Sequence, residues 1–89
     1  MTVTTTANWT PLEVRLKSLG GRTDVIREFM WMYGDEATRI EYYKHSVTRR
    51  YLLLHRDGRC FQYTEDGGLA EVDFQQELLR VRNLTEEDK

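Results

Sequence analysis

A cysteine facing a histidine is the simplest nucleophilic pairing a short chain can hold, and residues 55–60 offer one. In His55-Arg56-Asp57-Gly58-Arg59-Cys60, a two-residue Asp-Gly loop of type I′ makes Arg56 and Arg59 its closing pair. His55 then falls opposite Cys60. An imidazolium in that position lowers a thiol's pKa and generates the reactive thiolate. The sequence shows nothing to orient the histidine, no oxyanion donors and no pocket on a flat hairpin. Chance proximity on paired strands is therefore the better account, and the chain is read as non-enzymatic, with no catalytic residue.

Other chemistries fare no better. Cys60 is the single cysteine, which rules out an internal disulfide and an all-cysteine metal site within one chain. His45 and His55 match no usual zinc spacing, so no metal and no cofactor are expected. Gly20-Gly21 and Gly67-Gly68 lack the lysine or third glycine of phosphate-cradling loops. The acidic pairs Asp35-Glu36 and Glu65-Asp66 sit at turn positions, where solvation explains them. Trp9, Met30, Trp31 and Met32 read as core filling.

Eighty-nine residues with 39% hydrophobic and 31% charged side chains predict a single folded domain over 1–89, with disordered ends at about 1–8 and 85–89. The start Met-Thr-Val-Thr-Thr-Thr has no basic and no apolar region of a secretory leader. The longest apolar run, Tyr51 to Leu54, is far below the roughly 18 residues that span a bilayer. No membrane partner is expected, and the expected location is cytoplasmic. Net charge is only −2, but residues 39–64 carry six Lys/Arg against two acids, and residues 65–89 three against eight. The acidic third folding back on the basic segment would account for this asymmetry.

The elements that position these residues follow from pattern. Thr10-Pro11-Leu12-Glu13 is a helix start, Leu12, Leu16 and Leu19 recur at helical spacing, and Gly20-Gly21 stops a helix over about 11–19. Residues 24–33 fit two patterns. A helix puts Ile26, Phe29, Met30 and Tyr33 on one face; a strand alternates Phe29, Trp31 and Tyr33 and makes Gly34-Asp35 a hairpin loop. That hairpin would oppose Glu28 and Glu41, so the helix is preferred. Strands over about 38–44, 49–55 and 59–64 form an antiparallel meander, and Asp73 caps a last helix carrying Phe74, Leu78 and Val81 or Leu79 inward. The expected fold is α+β: two short N-terminal helices, a three-stranded antiparallel meander and a C-terminal helix.

The Asp57-Gly58 register places Leu54 opposite Phe61 and Leu52 opposite Tyr63, with Ile40 and Tyr42 joining them on the core face. The other face then exposes Arg39, Tyr43, Arg49, Arg50, Tyr51, Leu53 and His55 as the candidate binding residues. Rings interleaved with arginines suit single-stranded nucleic acid, and exposed Tyr and Leu suit a protein contact or dimer seam. A small interaction module that binds a protein partner, or itself as a homodimer, is the leading expectation. A nucleic-acid-binding domain is the alternative. The helix–strand–strand–strand–helix order is similar to that of double-stranded-RNA-binding domains in topology only. Asp73-Phe74-Gln75-Gln76-Glu77 stands where their last helix opens with phosphate-gripping lysines.

Overall fold

Among the described residues, five antiparallel strands hydrogen-bonded in chain order form one sheet, and two α-helices lie on one of its faces. The computed structural model describes residues 7–20 and 23–83. Helix α1 (Thr10–Ser18) leads through a 3-10 helix (Thr23–Glu28) into β1 (Phe29–Asp35). Strands β2 (Ile40–His45), β3 (Tyr51–His55), β4 (Cys60–Tyr63) and β5 (Leu69–Val72) follow, and α2 (Phe74–Arg82) is the last described element. The architecture is α+β, as expected. Two details differ among the described residues: the sheet has five strands rather than three, and one α-helix and a 3-10 helix precede it rather than two helices with the second reaching residue 33. The expected loose ends and Gly21 lie wholly or partly outside the described residues. Among the described residues no helix is long and apolar enough to cross a membrane.

Residues 29–35 form an edge strand because their alternation has a covered sheet face to meet. Phe29 is buried, and Trp31 packs on the same core cluster from the edge. The like-charge objection to this strand assumed a two-residue loop at Gly34-Asp35. The turn instead spans Asp35 to Arg39, where the Arg39 N–H donates to the Asp35 carbonyl (2.7 Å). With a bulge between Trp31 and Tyr33, Gly34 rather than Glu28 faces Glu41.

The β3–β4 register also differs from expectation by one residue: Leu54 pairs with Cys60 and Leu53 with Phe61. The turn explains it. Gly58 N–H donates to the His55 carbonyl (2.9 Å) and His55 N–H to the Arg59 carbonyl (2.8 Å), and only Gly58 has positive φ, 104°. This is a type I turn followed by a glycine bulge, which spares Asp57 the left-handed conformation that type I′ demands. Thr64 to Gly68 repeats the construction, with Gly67 at φ 87°, and this second Asp-Gly turn creates β5. Helix α2 begins as expected: the Asp73 carboxylate accepts from Gln76 N–H at 3.0 Å, and Phe74, Leu78 and Val81 are buried.

The main core joins Leu12 and Leu16 of α1 and Phe74, Leu78 and Val81 of α2 to Tyr43, Leu52, Leu54 and Cys60 of the sheet. Two carboxylates tie its rim. Glu41, 1% exposed, accepts from Trp31 Nε1 (2.6 Å) and Arg56 Nε (2.8 Å), while the Arg56 fork continues to Glu36 at 2.7 Å. Gly34 makes room for this carboxylate, since a Cβ there would lie 2.6 Å from Glu41 Oε1. At the opposite end of β2, Glu28 takes a bidentate pair of bonds from Arg82 (2.7 and 2.9 Å). His45 Nδ1 accepts from Val47 and Thr48 N–H, so its proton sits on Nε2 and is donated to Glu28 at 3.0 Å.

Among the described residues, Arg56 of the basic 39–64 segment is paired with Glu36 and Glu41 and Arg59 with Asp57, while other donors reach helix carbonyls. Arg50 Nη1 donates to the carbonyls of Arg80 (2.5 Å) and Asn83 (3.1 Å), and Thr48 Oγ1 donates to that of Val81 (2.6 Å). These donors meet the carbonyl end of α2, where its own backbone leaves acceptors free.

Gly34→Ala will lower stability in chemical denaturation, and the loss will shrink in a Glu41→Ala background, because the added methyl group meets the carboxylate itself. The Arg82 hydrogen bonds hold the Glu28 carboxyl below its ordinary 4.5 against the opposing effect of partial burial, and His45 adds to the shift. A lowered folded-state pKa gives stability that is present above the unfolded value and lost as pH falls through the folded one. Glu28→Gln will therefore be less stable than the wild type at pH 7 and lose less stability between pH 5 and 3, as urea midpoints will show.

Candidate functional site

The sheet face away from the helices carries no covering element among the described residues, and it is rich in tyrosine. By register, Met30 and Tyr33 of β1, Tyr42 and Lys44 of β2, Tyr51 and Leu53 of β3, Phe61 and Tyr63 of β4, and Leu69 and Glu71 of β5 share it. Its centre is closed by its own rings. The Tyr33 ring stacks on that of Tyr42 at 4.4 Å, and the Tyr42 hydroxyl meets that of Tyr63 at 3.1 Å, spanning the intervening β3. Beneath this bridge Ile40, Tyr42 and Leu53 form a second small cluster, with Leu53 only 2% exposed. Burial first, and then the Tyr63 hydrogen bond, push the Tyr42 hydroxyl's pKa upward, so it stays neutral.

Around that closed centre the face is open. Tyr63 is 55% and Tyr33 49% exposed, and Met30, Tyr51 and Leu69 are also exposed. Two cations rest on rings: Lys44 Nζ lies 5.7 Å from the Tyr51 centroid and the Arg59 guanidinium 5.4 Å from that of Phe61. Asp35 and Glu71 supply the opposite charge on the same face.

The structure separates the seven residues expected to form the site. Tyr51 lies on the open face, exposed as expected, and Leu53 lies on it but is buried under the tyrosine bridge. His55 is on it at half-buried depth, its Nδ1 accepting from Asp57 N–H (3.0 Å). Tyr43 is on the covered face, fully buried, with its hydroxyl donating to the Asn8 carbonyl. The β2–β3 register also lies one residue from expectation, pairing Ile40 with His55, Tyr42 with Leu53 and Tyr43 with Leu52, and this turns Tyr43 inward. Arg39 and Arg49 stand at opposite ends of β2, each in a left-handed turn position (φ 61° and 67°). Arg50 is engaged by the end of α2. The arginine–tyrosine interleaving read from sequence is therefore not assembled on one surface.

Tyr33, Tyr63, Met30 and Leu69 were missed, along with Ile40, Tyr42 and Phe61, which sequence reasoning had turned inward. The second Asp-Gly pair, Asp66-Gly67, nine residues after the first, is a signal for β5 and so for Leu69. Repeating one turn at that interval generates β5.

His55 and Cys60 do not form a pair, because Cys60 pairs with Leu54 and points into the core, 1% exposed. Burial, and then the nearby Glu77 carboxylate, push its thiol up to about 12. A cleft of about 630 Å3 lies above it, between α1, the β3–β4 turn and the start of α2. Arg15 crosses this cleft with its guanidinium 5.0 Å over the Phe74 ring, while its Nε is buried without a hydrogen-bond partner. Asp57, Gly58, Val72 and Asp73 line the rest of this shallow hollow. Among the described residues no three His, Cys, Asp or Glu side chains gather closely enough to hold a metal ion. Comparison with protein-family models, with curated proteins and with solved structures finds no match for this chain.

Cys60 will resist iodoacetamide at pH 8 in the native protein and react at the rate of a free cysteine in denaturant. Mass spectrometry of quenched samples gives both rates, and fast native labelling would contradict the buried placement.

Proposed function

We propose that this chain is a non-enzymatic interaction module that engages protein through its uncovered sheet face. The observation that carries this reading is the exposed set Met30, Tyr33, Tyr51, Tyr63 and Leu69, of which Tyr33 and Tyr63 are the two ends of a bridge through Tyr42. Tyrosine is favoured at such contacts because it brings large area and a polar tip at the cost of few rotatable bonds. The bridge holds two of the rings in place before any partner arrives, which reduces the ordering cost of binding.

The charge of this face supports a protein contact over nucleic acid. Single-stranded nucleic acid needs a run of cations tracking the phosphates. Here Lys44 and Arg59 are matched by Asp35 and Glu71, and three of the arginines first considered lie at turns or against α2.

A photo-reactive benzoyl-phenylalanine placed at Tyr63 will give protein adducts on irradiation in cells, whereas the same group at Leu79, exposed on α2, will not. Equal yields at both positions would remove the face from consideration. Salt-dependent binding of a single-stranded oligonucleotide that is lost in Lys44→Ala and Tyr51→Ala would replace this reading with the nucleic-acid one.

A further inference from the structure

We infer that the occupant of the uncovered face is a second copy of this chain, docked sheet to sheet about a two-fold axis that runs along β3. This rests on the reading of that face as protein-binding and names its partner.

A two-fold contact requires a surface complementary to itself. This face meets the requirement in charge, since Lys44 and Arg59 balance Asp35 and Glu71, and in shape, since a closed aromatic centre lies between two exposed flanks. Each half of the face carries one charge of either sign, Asp35 and Lys44 on the β1–β2 side and Arg59 and Glu71 on the β4–β5 side. Lys44 belongs to β2, on one side of β3, and Glu71 to β5, on the other. A two-fold axis along β3 lays the β1–β2 half of each copy on the β4–β5 half of the other. Lys44 of each copy then meets the side that carries Glu71 of its mate. The apolar residues follow the same rule, with Met30 and Tyr33 on one flank and Tyr63 and Leu69 on the other.

Size sets the strength. From their fractional exposures and the roughly 150–250 Å2 that an aromatic side chain can bury, the five exposed residues offer about 500 Å2 per copy. Two copies bury about 1,000 Å2, the lower bound for a specific interface. Such an area fits a reversible dimer with Kd of about 10–1,000 µM, not an obligate one. The core formed by α1, α2 and the inner sheet face is complete within one copy, so dissociation leaves a folded monomer.

Sedimentation equilibrium from 10 µM to 2 mM tests this. The expected result is a monomer–dimer equilibrium in the wild type and at least tenfold weaker association in Met30→Lys and in Leu69→Lys, both exposed positions at which folding is retained. Lys44→Glu will weaken the dimer, and adding Glu71→Lys will restore it. A monomer at 2 mM overturns the inference while leaving the protein-binding reading to stand on adducts at Tyr63 with other proteins. A dimer indifferent to Met30→Lys and Leu69→Lys overturns it by placing the contact elsewhere. A dimer weakened by those changes but not restored by the charge exchange overturns the axis along β3.

Discussion

Glu41 imposes the constraint around which this fold is arranged. A carboxylate at 1% exposure cannot persist without donors, because an unpaired buried charge costs several kcal/mol. Three parts of the chain meet to supply them: Trp31 from β1, Arg56 from the β3–β4 turn, and the more distant Asn8 amide at 3.4 Å before α1. Gly34 is part of the same arrangement, since any side chain there would displace the carboxylate from β2's neighbour. The edge strand, the first bulge and the turn after β3 are therefore coupled through one side chain. The Glu28–Arg82–His45 group does similar work at the other end of β2, joining the 3-10 helix to the end of α2.

These ties leave the two sheet faces in different conditions. Both helices and the polar ties serve the inner face, which packs as an ordinary core. Among the described residues, the outer face has only its own side chains for cover. Tyrosine suits that position because the ring shields Leu53 and Ile40 while the hydroxyl remains satisfied by its neighbour. What results is a surface that is ordered without being covered, on which exposed rings surround a closed centre. A flat apolar strand set of this kind would be an aggregation hazard if it were made of leucine and valine. Tyrosine hydroxyls and balanced charges temper that hazard while retaining contact area.

Much of the fold was legible in sequence. The Pro11 start of α1, the Asp73 cap of α2, the inward Leu52, Leu54, Phe74 and Leu78, and the antiparallel order of β2, β3 and β4 all follow from local pattern. Local signals failed at three places, each for a physical reason. Residues 24–33 carry helical and strand periodicities together, and only the covered sheet face decides between them. Leu69-Ala70-Glu71-Val72 is too short and too polar to announce a strand, and it exists because the Thr64–Gly68 turn returns it to β4. The candidate surface failed through register at two hairpins, β2–β3, which turned Tyr43 inward, and β3–β4, which turned Phe61 and Tyr63 outward. Asp-Gly is compatible with a two-residue I′ loop and with a type I turn plus bulge, and the two differ by one residue.

The sequence by itself determined the fold class, the absence of a disulfide framework, the two helices that bound the sheet and the central place of the Asp57-Gly58 hairpin. These depend on composition, spacing and capping, which act over a few residues. Tertiary structure alone decided which side of each strand meets the helices. Side chains alternate with a period of two, so one residue of slip reverses a whole strand. Tyr43 and Cys60 went inside and Tyr42, Phe61 and Tyr63 outside because the turn, the bulge and the buried Glu41 cluster agree on that register together.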